Sequence, residues 1–156
     1  MTEPVNLNAR IIEALYTEGL VLSDEVRAAF DLSPRACNDE REDTDAARLA
    51  LSCEALRTTT RMMHSVAWLI NHRAFFRNEI SEFQLRRHGR IARHLPDSAP
   101  ERLALLSAEI QALIRTTERF YARLVRLDAG WRARTEPGGQ APAIQRLRER
   151  LLHAVG

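Results

Sequence analysis

The sequence predicts an all-α protein: a three-helix bundle with long antiparallel helices and a flexible C-terminal tail. Three segments repeat apolar residues every three or four positions, which is the spacing that gives a helix one apolar face. Hydrophobic residues make up 45% of the 156-residue chain, which contains only 6 Gly and 6 Pro, the residues that most often interrupt helices. We therefore expect a bundle domain over residues 1–132, and a linker and mobile tail over residues 133–156.

The first helix is predicted over residues 7–32. Its apolar positions recur at spacings of three and four, and Ser33-Pro34 ends it because a residue before proline is pushed out of the helical region. Gly19 lies midway and favours a bend, since glycine costs about 1 kcal/mol relative to alanine inside a helix. Residues 33–43 are polar and acidic and predict a solvated loop.

The second helix is predicted over residues 44–77, a stretch without glycine or proline. Asp43 or Thr44 is suited to cap its N-terminus. Its core seam is expected to consist of Leu49, Cys53, Leu56, Thr60, Met63, Ala67, Ile70 and Ala74. Between residues 77 and 100 the pattern weakens, and Ile80, Phe83 and Leu85 predict a short helix at most.

The third helix is predicted over residues 100–132 and has the most regular apolar pattern in the chain. Its seam consists of Leu103, Leu106, Ile110, Leu113, Thr117, Phe120, Leu124, Leu127 and Trp131. A second apolar stripe consists of Leu105, Ile114, Tyr121 and Val125. A helix with two stripes contacts more than one neighbour, either in its own bundle or in a second copy, and from this we predict a homodimer. In the core, we expect Leu56, Met63, Ile70, Leu113 and Phe120 to be buried together.

After the third helix, Pro137, Gly138, Gly139 and Pro142 predict a linker. Ile144, Leu147, Leu151 and Val155 then predict a short amphipathic helix in the tail. A helix of this length is not stable alone in water, so it would form only by docking on another surface.

Charge divides the chain into two halves. All 23 basic residues are arginine; residues 1–48 carry a net charge of −6, and residues 49–156 a net charge of +8. The two halves can neutralise each other within one fold, or the basic half can face an acidic partner. The arginines concentrate in the loop over residues 86–94 and on one face of the third helix, at Arg115, Arg119, Arg123 and Arg126.

Sequence signals for catalysis, metal binding or cofactors are missing. The chain has no glycine-rich phosphate loop, no nucleophile elbow and no His-x-x-x-His pair, so we expect neither an enzyme nor a metal or cofactor site. Cys37 and Cys53 are interpreted as reduced thiols without a function. No stretch has the length and apolarity of a signal peptide or of a membrane span, which predicts a cytoplasmic location.

An unusual group of residues on the second helix predicts a protein-binding surface. Arg61, His64, Trp68 and His72 lie along one face of that helix, and arginine and tryptophan are enriched in binding hot spots. The complete candidate set is Arg57, Arg61, His64, Trp68, His72 and Arg73. Trp68 is equally compatible with the core. If the group is on the surface, Arg61→Ala combined with His72→Ala should keep the melting temperature and lose partner capture.

The same region resembles a known family. The run from Leu56 to His64 (LRTTTRMMH), then Ala67 to Ile70 (AWLI) and His72 to Ala74 (HRA), is similar to the central helix of the alphaproteobacterial proteins named regulator of CtrA degradation. A second similarity covers residues 120–128. The family tends to have glutamine where this chain has His64 and His72. The resemblance extends over roughly residues 44–131.

The resemblance implies a dimeric three-helix bundle that acts as a non-enzymatic adaptor in regulated proteolysis. Its partners would be an ATP-dependent ClpXP-type protease, other adaptors, and substrates that include a cell-cycle response regulator. The alternative is a nucleic-acid-associated regulator that uses the basic loop over residues 86–94 and the arginine face of the third helix. We consider nucleic acid the less favoured partner because the chain has no helix-turn-helix spacing.

Overall fold

The computed structural model describes residues 7–32, 43–92 and 95–135. Within these ranges the chain forms five helices and no strand: α1 Ala9–Leu32, α2 Asp43–Phe76, α3 Glu82–His88, α4 Pro100–Leu103 and α5 Ala108–Thr135. The predicted all-α class is confirmed, and the three long helices α1, α2 and α5 are those that the sequence predicts. The predicted loop over residues 33–43, except Asp43, and the C-terminal tail lie outside the described residues.

Contacts between the long helices define the direction of each. Arg73 of α2 pairs with Glu13 of α1 at 2.9 Å, so α1 runs antiparallel to α2. Arg61 contacts Thr117, and Trp68 contacts Asp128, so residue numbers rise together along α2 and α5. These two helices are therefore parallel, because residues 77–107 return the chain along the bundle before α5 begins. The antiparallel relation holds for α1 against each of the other long helices.

Local chemistry defines the helix ends. The Asn8 Oδ1 atom accepts a hydrogen bond from the Ile11 amide and caps α1. At the end of α2, Asn78 has a φ of 60°, the Asn78 amide donates to Phe75 and the Glu79 amide donates to Ala74. This is a Schellman motif, and asparagine tolerates its left-handed position. Ser81 and Gln84 form a reciprocal capping box that starts α3.

Gly19 allows close packing within α1, which continues through it. A Cβ atom at this position would lie 3.3 Å from both Leu69 Cδ1 and Phe120 Cζ. The glycine thus lets α2 and α5 approach the middle of α1. Around this point the main core contains Ile12, Leu15, Leu22, Val26, Met62, Trp68, Leu69, Leu85, Phe120, Tyr121, Leu124 and Trp131.

The predicted core seam of α2 is wrong. Leu49, Leu56 and Met63 are 67%, 71% and 67% exposed, and Ile70 is 49% exposed. Of the five residues expected to be buried together, only Phe120 is buried, and Leu113 is half-buried. The helix is rotated so that polar residues lie inside: Glu54, Thr58, Arg61, Ser65 and His72 are all buried.

On α5 the predicted seam is largely confirmed. Leu106, Ile110, Phe120, Leu124 and Trp131 are buried, as is the polar Thr117. The helix begins at Ala108 and not near residue 100, because α4 and a turn precede it. Most of the second stripe is satisfied within the chain, since Ile114 and Tyr121 are buried and Val125 packs on the core, but Leu105 is 49% exposed. The part of the stripe on α5 therefore offers no free surface for a second copy, and the exposed Leu105 lies before this helix.

Candidate protein-interaction surface

Arg61 lies inside the bundle, between α2 and α5. Its side chain is 2% exposed, and its guanidinium donates to Thr117 Oγ1 at 3.1 Å and to Glu118 Oε1 at 3.4 Å. Burial lowers the pKa of Arg61, while the charge of Glu118 opposes that change. The buried cation therefore depends on these partners, and it holds α2 in register with α5.

Trp68 is a core residue. It is 2% exposed, and its Nε1–H donates to Asp128 Oδ1 at 3.0 Å. Asp128 also accepts from Arg132 Nε, at 3.1 Å to each carboxylate oxygen. The choice that the sequence left open is thereby decided in favour of the core, because both the ring and its N–H group are engaged inside the bundle.

His72 is buried one turn beyond Trp68. Its ring centroid lies 3.9 Å from that of Trp68 and 5.5 Å from that of Trp131. Burial lowers the pKa of His72 to about 4, so the ring is neutral at physiological pH. Nδ1 lies 3.0 Å from the carbonyl oxygen of Trp68 and must carry the proton to donate to it. The buried Nε2 atom has no hydrogen-bond partner among the described residues.

Glu54 and Arg57 attach the chain segment before α4 to α2. Glu54 is fully buried, accepts from the Ser98 hydroxyl, and pairs with Arg102 at 3.0 Å. Arg57 donates to the carbonyl oxygens of Pro96 and Asp97, at 2.6 and 3.0 Å. These bonds position the returning segment and leave Arg57 half-buried.

The six candidate residues do not form one accessible surface. Arg61 and His72 are buried, so their predicted exposure is wrong, and Trp68, for which the sequence left both possibilities open, is buried as well. Arg73 is half-buried, pairs with Glu13, and lies 3.9 Å from the ring centroid of Tyr16. His64 is exposed. Sequence reasoning placed these residues outside because polar groups ordinarily face water, but their partners on α5 and near α4 accept or donate the bonds that water would otherwise make.

The exposed face of α2 is apolar. We define the outer stripe as Leu49, Leu56, Met63 and Ile70, the four large exposed apolar residues at seven-residue intervals. At 1.5 Å per residue the stripe is about 31 Å long. A seven-residue apolar repeat is the signature of a helix that packs against another helix. The sequence already shows this repeat, and the core seam of α2 was predicted from it. In the structure the repeat lies on the outside of the bundle.

Beside the outer stripe, α1 and α2 enclose an apolar depression of 780 Å³, which we call the α1–α2 groove. Leu20, Val26 and Phe30 line it from α1. Met62, Val66 and Ile70 are among the residues that line it from α2. Met63 and Ile70 therefore belong to both the outer stripe and the groove.

The arginine face predicted for the third helix lies on α5. Arg115, Arg119 and Arg126 are exposed. Arg123 pairs with Glu18 and stacks 5.3 Å from the Phe120 centroid. In the basic loop, Arg86 pairs with Glu82 at 3.2 Å, Arg87 and Arg90 are exposed, and residues 93–94 are outside the described ranges.

Across residues 7–32, 43–92 and 95–135, no three His, Cys, Asp or Glu side chains are grouped as metal ligands. Cys53 is a half-buried free thiol, and Cys37 is outside those ranges. None of the described helices combines the length and apolarity required to cross a membrane.

Comparison with known proteins gives one family. A family model described as "Protein of unknown function (DUF1465)" matches residues 4–155, almost the whole chain. No curated protein and no solved structure matches the chain.

Proposed function

We propose that this chain, which belongs to the DUF1465 family, is a non-enzymatic adaptor that binds other proteins through the outer stripe of α2. Its role would be in regulated proteolysis in the cytoplasm, where it helps to deliver a cell-cycle regulator or other substrates to a ClpXP-type protease. The observation that supports protein binding is the exposure of four large apolar side chains on one helix face. The resemblance of residues 44–131 to the regulator of CtrA degradation supports the assignment to proteolysis.

The partner that fits the outer stripe is a helix with apolar residues at the same interval. Knobs-into-holes packing requires two facing helices with matched repeats, and the stripe provides one of them over three seven-residue intervals. Isolated apolar residues on a surface need no explanation, but four large ones aligned on one helix face mark a candidate interaction site. His64, exposed beside Met63, is the candidate residue that remains available to such a partner.

The buried polar groups of α2 support this assignment indirectly. Because Arg61, Trp68 and His72 are bonded to or packed on α5 and their own helix, the rotation that exposes the outer stripe is fixed by specific contacts. A rigid presentation of apolar residues lowers the entropic cost of binding. These groups thus position the docking face and need not contact the partner.

Reconstituted degradation tests the proposal. A purified ClpXP-type protease and a response-regulator substrate are mixed with the parent chain, with Leu49→Ser plus Leu56→Ser, or with Arg115→Ser plus Arg119→Ser. The proposal predicts that the parent accelerates degradation several-fold, that the stripe variant does not, and that the arginine-face control does. If the parent has no effect, the adaptor role is wrong; if the folded stripe variant equals the parent, the docking face lies elsewhere.

The exposure of Arg115, Arg119 and Arg126 favours the alternative, a nucleic-acid-associated regulator. Glu18 weakens it, because this carboxylate neutralises Arg123 within the same face. Fluorescence anisotropy with a labelled DNA duplex separates the two functions. Phosphate binding would fall steeply with added salt and would be lost in Arg115→Ser plus Arg119→Ser, whereas the adaptor role predicts no duplex binding at physiological salt.

A further inference from the structure

We infer that the depression between α1 and α5 binds a long-chain carboxylate, with the anionic head held by arginines and the chain on an apolar floor. The depression, which we call the α1–α5 site, has a volume of 590 Å³, within the range of small-ligand sites. It is lined from α1 and α5, whereas the outer stripe lies on α2, so the inference does not depend on the adaptor role.

The floor of the α1–α5 site is apolar. Ile11 and Leu15, one turn apart on α1, line it together with Leu127 of α5. Leu15 is buried, whereas Ile11 and Leu127 are half-buried and keep part of their side chains at the surface. Along α5 the site extends from Arg123 to Arg134, about 16 Å at 1.5 Å per residue. A floor of this length and composition suits an unbranched apolar chain.

Gly130 opens the middle of the site. It lies in the interior of α5, where glycine is the least favourable residue apart from proline. A Cβ atom at this position would meet nothing within 4 Å, and the φ of Gly130 is not positive. Neither close packing nor backbone geometry therefore requires a glycine here. What the missing side chain provides is space for a ligand above the floor.

Two arginines flank Gly130. Arg126 lies four residues before it and Arg134 four residues after it, so all three share one face of α5. Each arginine is about 6 Å from the glycine along the helix axis. Both arginines are exposed and line the site, and both side chains are long enough to converge above Gly130. An oxyanion there would accept hydrogen bonds from two planar guanidinium groups.

The charge around the site is positive. A third arginine of the rim, Arg123, is neutralised by Glu18. No acidic side chain is among the described residues that line the site. Asp128, the nearest carboxylate along α5, is buried and accepts hydrogen bonds from Trp68 and Arg132. The rim therefore attracts an anionic head group.

Floor and rim together select the class of ligand. An inorganic anion would leave the floor uncovered, and a nucleic acid would place its neighbouring phosphates over the same apolar side chains. An uncharged chain would gain nothing from the arginines. A chain that ends in one carboxylate uses both parts of the site, because its head bonds to the rim and each methylene group removes apolar surface from water.

Methyl NMR of the full chain, titrated with octanoate, decanoate and octanol, tests the inference. Octanoate should shift the methyl signals of Ile11, Leu15 and Leu127 saturably and leave those of Met63 and Ile70, in the α1–α2 groove, unchanged. It should bind about tenfold more tightly than octanol, because hydrogen bonds to charged groups contribute that much. Decanoate should bind at least about fourfold more tightly than octanoate, since it adds two methylene groups to the contact with the floor.

A leucine at the glycine position tests the location. Gly130→Leu fills the site and should weaken octanoate binding about tenfold, because the new side chain covers the floor. The variant should stay folded, since leucine is a better helix former than glycine and nothing obstructs its Cβ atom. Ala129→Leu is the matched control: Ala129 is the exposed neighbour that does not line the site, and this variant should bind as the parent does.

A matched pair of arginine variants tests the rim. Arg126→Gln plus Arg134→Gln should remove the preference for octanoate over octanol. Arg115→Gln plus Arg119→Gln, on the same helix but outside the site, should retain it. Each of the following would overturn the inference: no saturable shift, shifts confined to the α1–α2 groove, octanol binding as tightly as octanoate, or binding that survives Gly130→Leu.

Discussion

At position 72, a neutral histidine makes stability depend on pH. Its pKa is about 4 in the fold, against 6.5 as its ordinary value, so protons bind the unfolded chain more strongly. The stability of the fold is therefore complete above about pH 6.5 and falls as pH drops towards 4. The loss amounts to about 2 to 3 kcal/mol by pH 4.5.

Urea unfolding of the parent and of His72→Gln, at pH 7 and pH 4.5, measures this effect. Glutamine retains an N–H donor for the Trp68 carbonyl but does not titrate. The parent should lose more stability between the two pH values than the variant, because the contributions of the carboxylates cancel in the comparison. Equal losses would show that His72 is accessible to protons in the fold.

Arg61 and His72, which the sequence suggested for partner binding, are expected to stabilise the fold instead. Arg61→Ala with His72→Ala removes a buried guanidinium and a buried ring, so Thr117 and Glu118 lose their hydrogen bonds from the guanidinium and Trp131 loses its contact with the His72 ring. The pair should cost at least about 3 kcal/mol and clearly lower the melting temperature. The exposed His64→Ala is the control and should stay within about 0.5 kcal/mol of the parent. An unchanged melting temperature for the double variant would place both side chains on the surface.

At the scale of single helices, the sequence predicts where each long helix lies in the chain better than it predicts which face of the helix turns towards the core. The ends of α1 and α2 follow from a proline, a capping residue and an uninterrupted apolar repeat, which are local signals. The rotation of α2 depends on Thr117, Asp128 and Ser98, partners distant in the chain that make buried polar residues stable. No local pattern contains that information, so the larger apolar residues were assigned to the core. The seam of α5 was predicted because its interior is mainly apolar.

Two leucines of α2 test this orientation. Leu69 is fully buried, whereas Leu56 is 71% exposed. Leu69→Ala should therefore cost about 2–5 kcal/mol of unfolding free energy, the usual range for a core leucine. Leu56→Ala should change it by less than about 0.5 kcal/mol. Denaturant unfolding of both variants gives the comparison, and the reverse ranking would restore the seam that the sequence suggested.

At the scale of the whole molecule, the homodimer stays a prediction, but the surface that would form it is now the outer stripe of α2. Three members of the stripe that first suggested it pack inside the bundle and the fourth, Leu105, is 49% exposed, whereas the whole outer stripe of α2 is exposed. Sedimentation at micromolar concentration decides the oligomeric state. A dimer that dissociates in Leu56→Asp would identify a second copy as an occupant of the outer stripe. A mass near 17.8 kDa for the parent would mean a monomer and end the homodimer prediction.

The central claim is that α2 turns its polar residues inward and its seven-residue apolar repeat outward. Two adjacent methionines report on it directly, because Met62 is 3% exposed and Met63 is 67% exposed. Peroxide oxidation of sub-micromolar protein, followed by mass spectrometry, measures the rate of oxidation at each position. The account predicts that Met63 forms the sulfoxide at least tenfold faster than Met62, since exposure governs methionine oxidation. Equal rates, or faster oxidation of Met62, would contradict it.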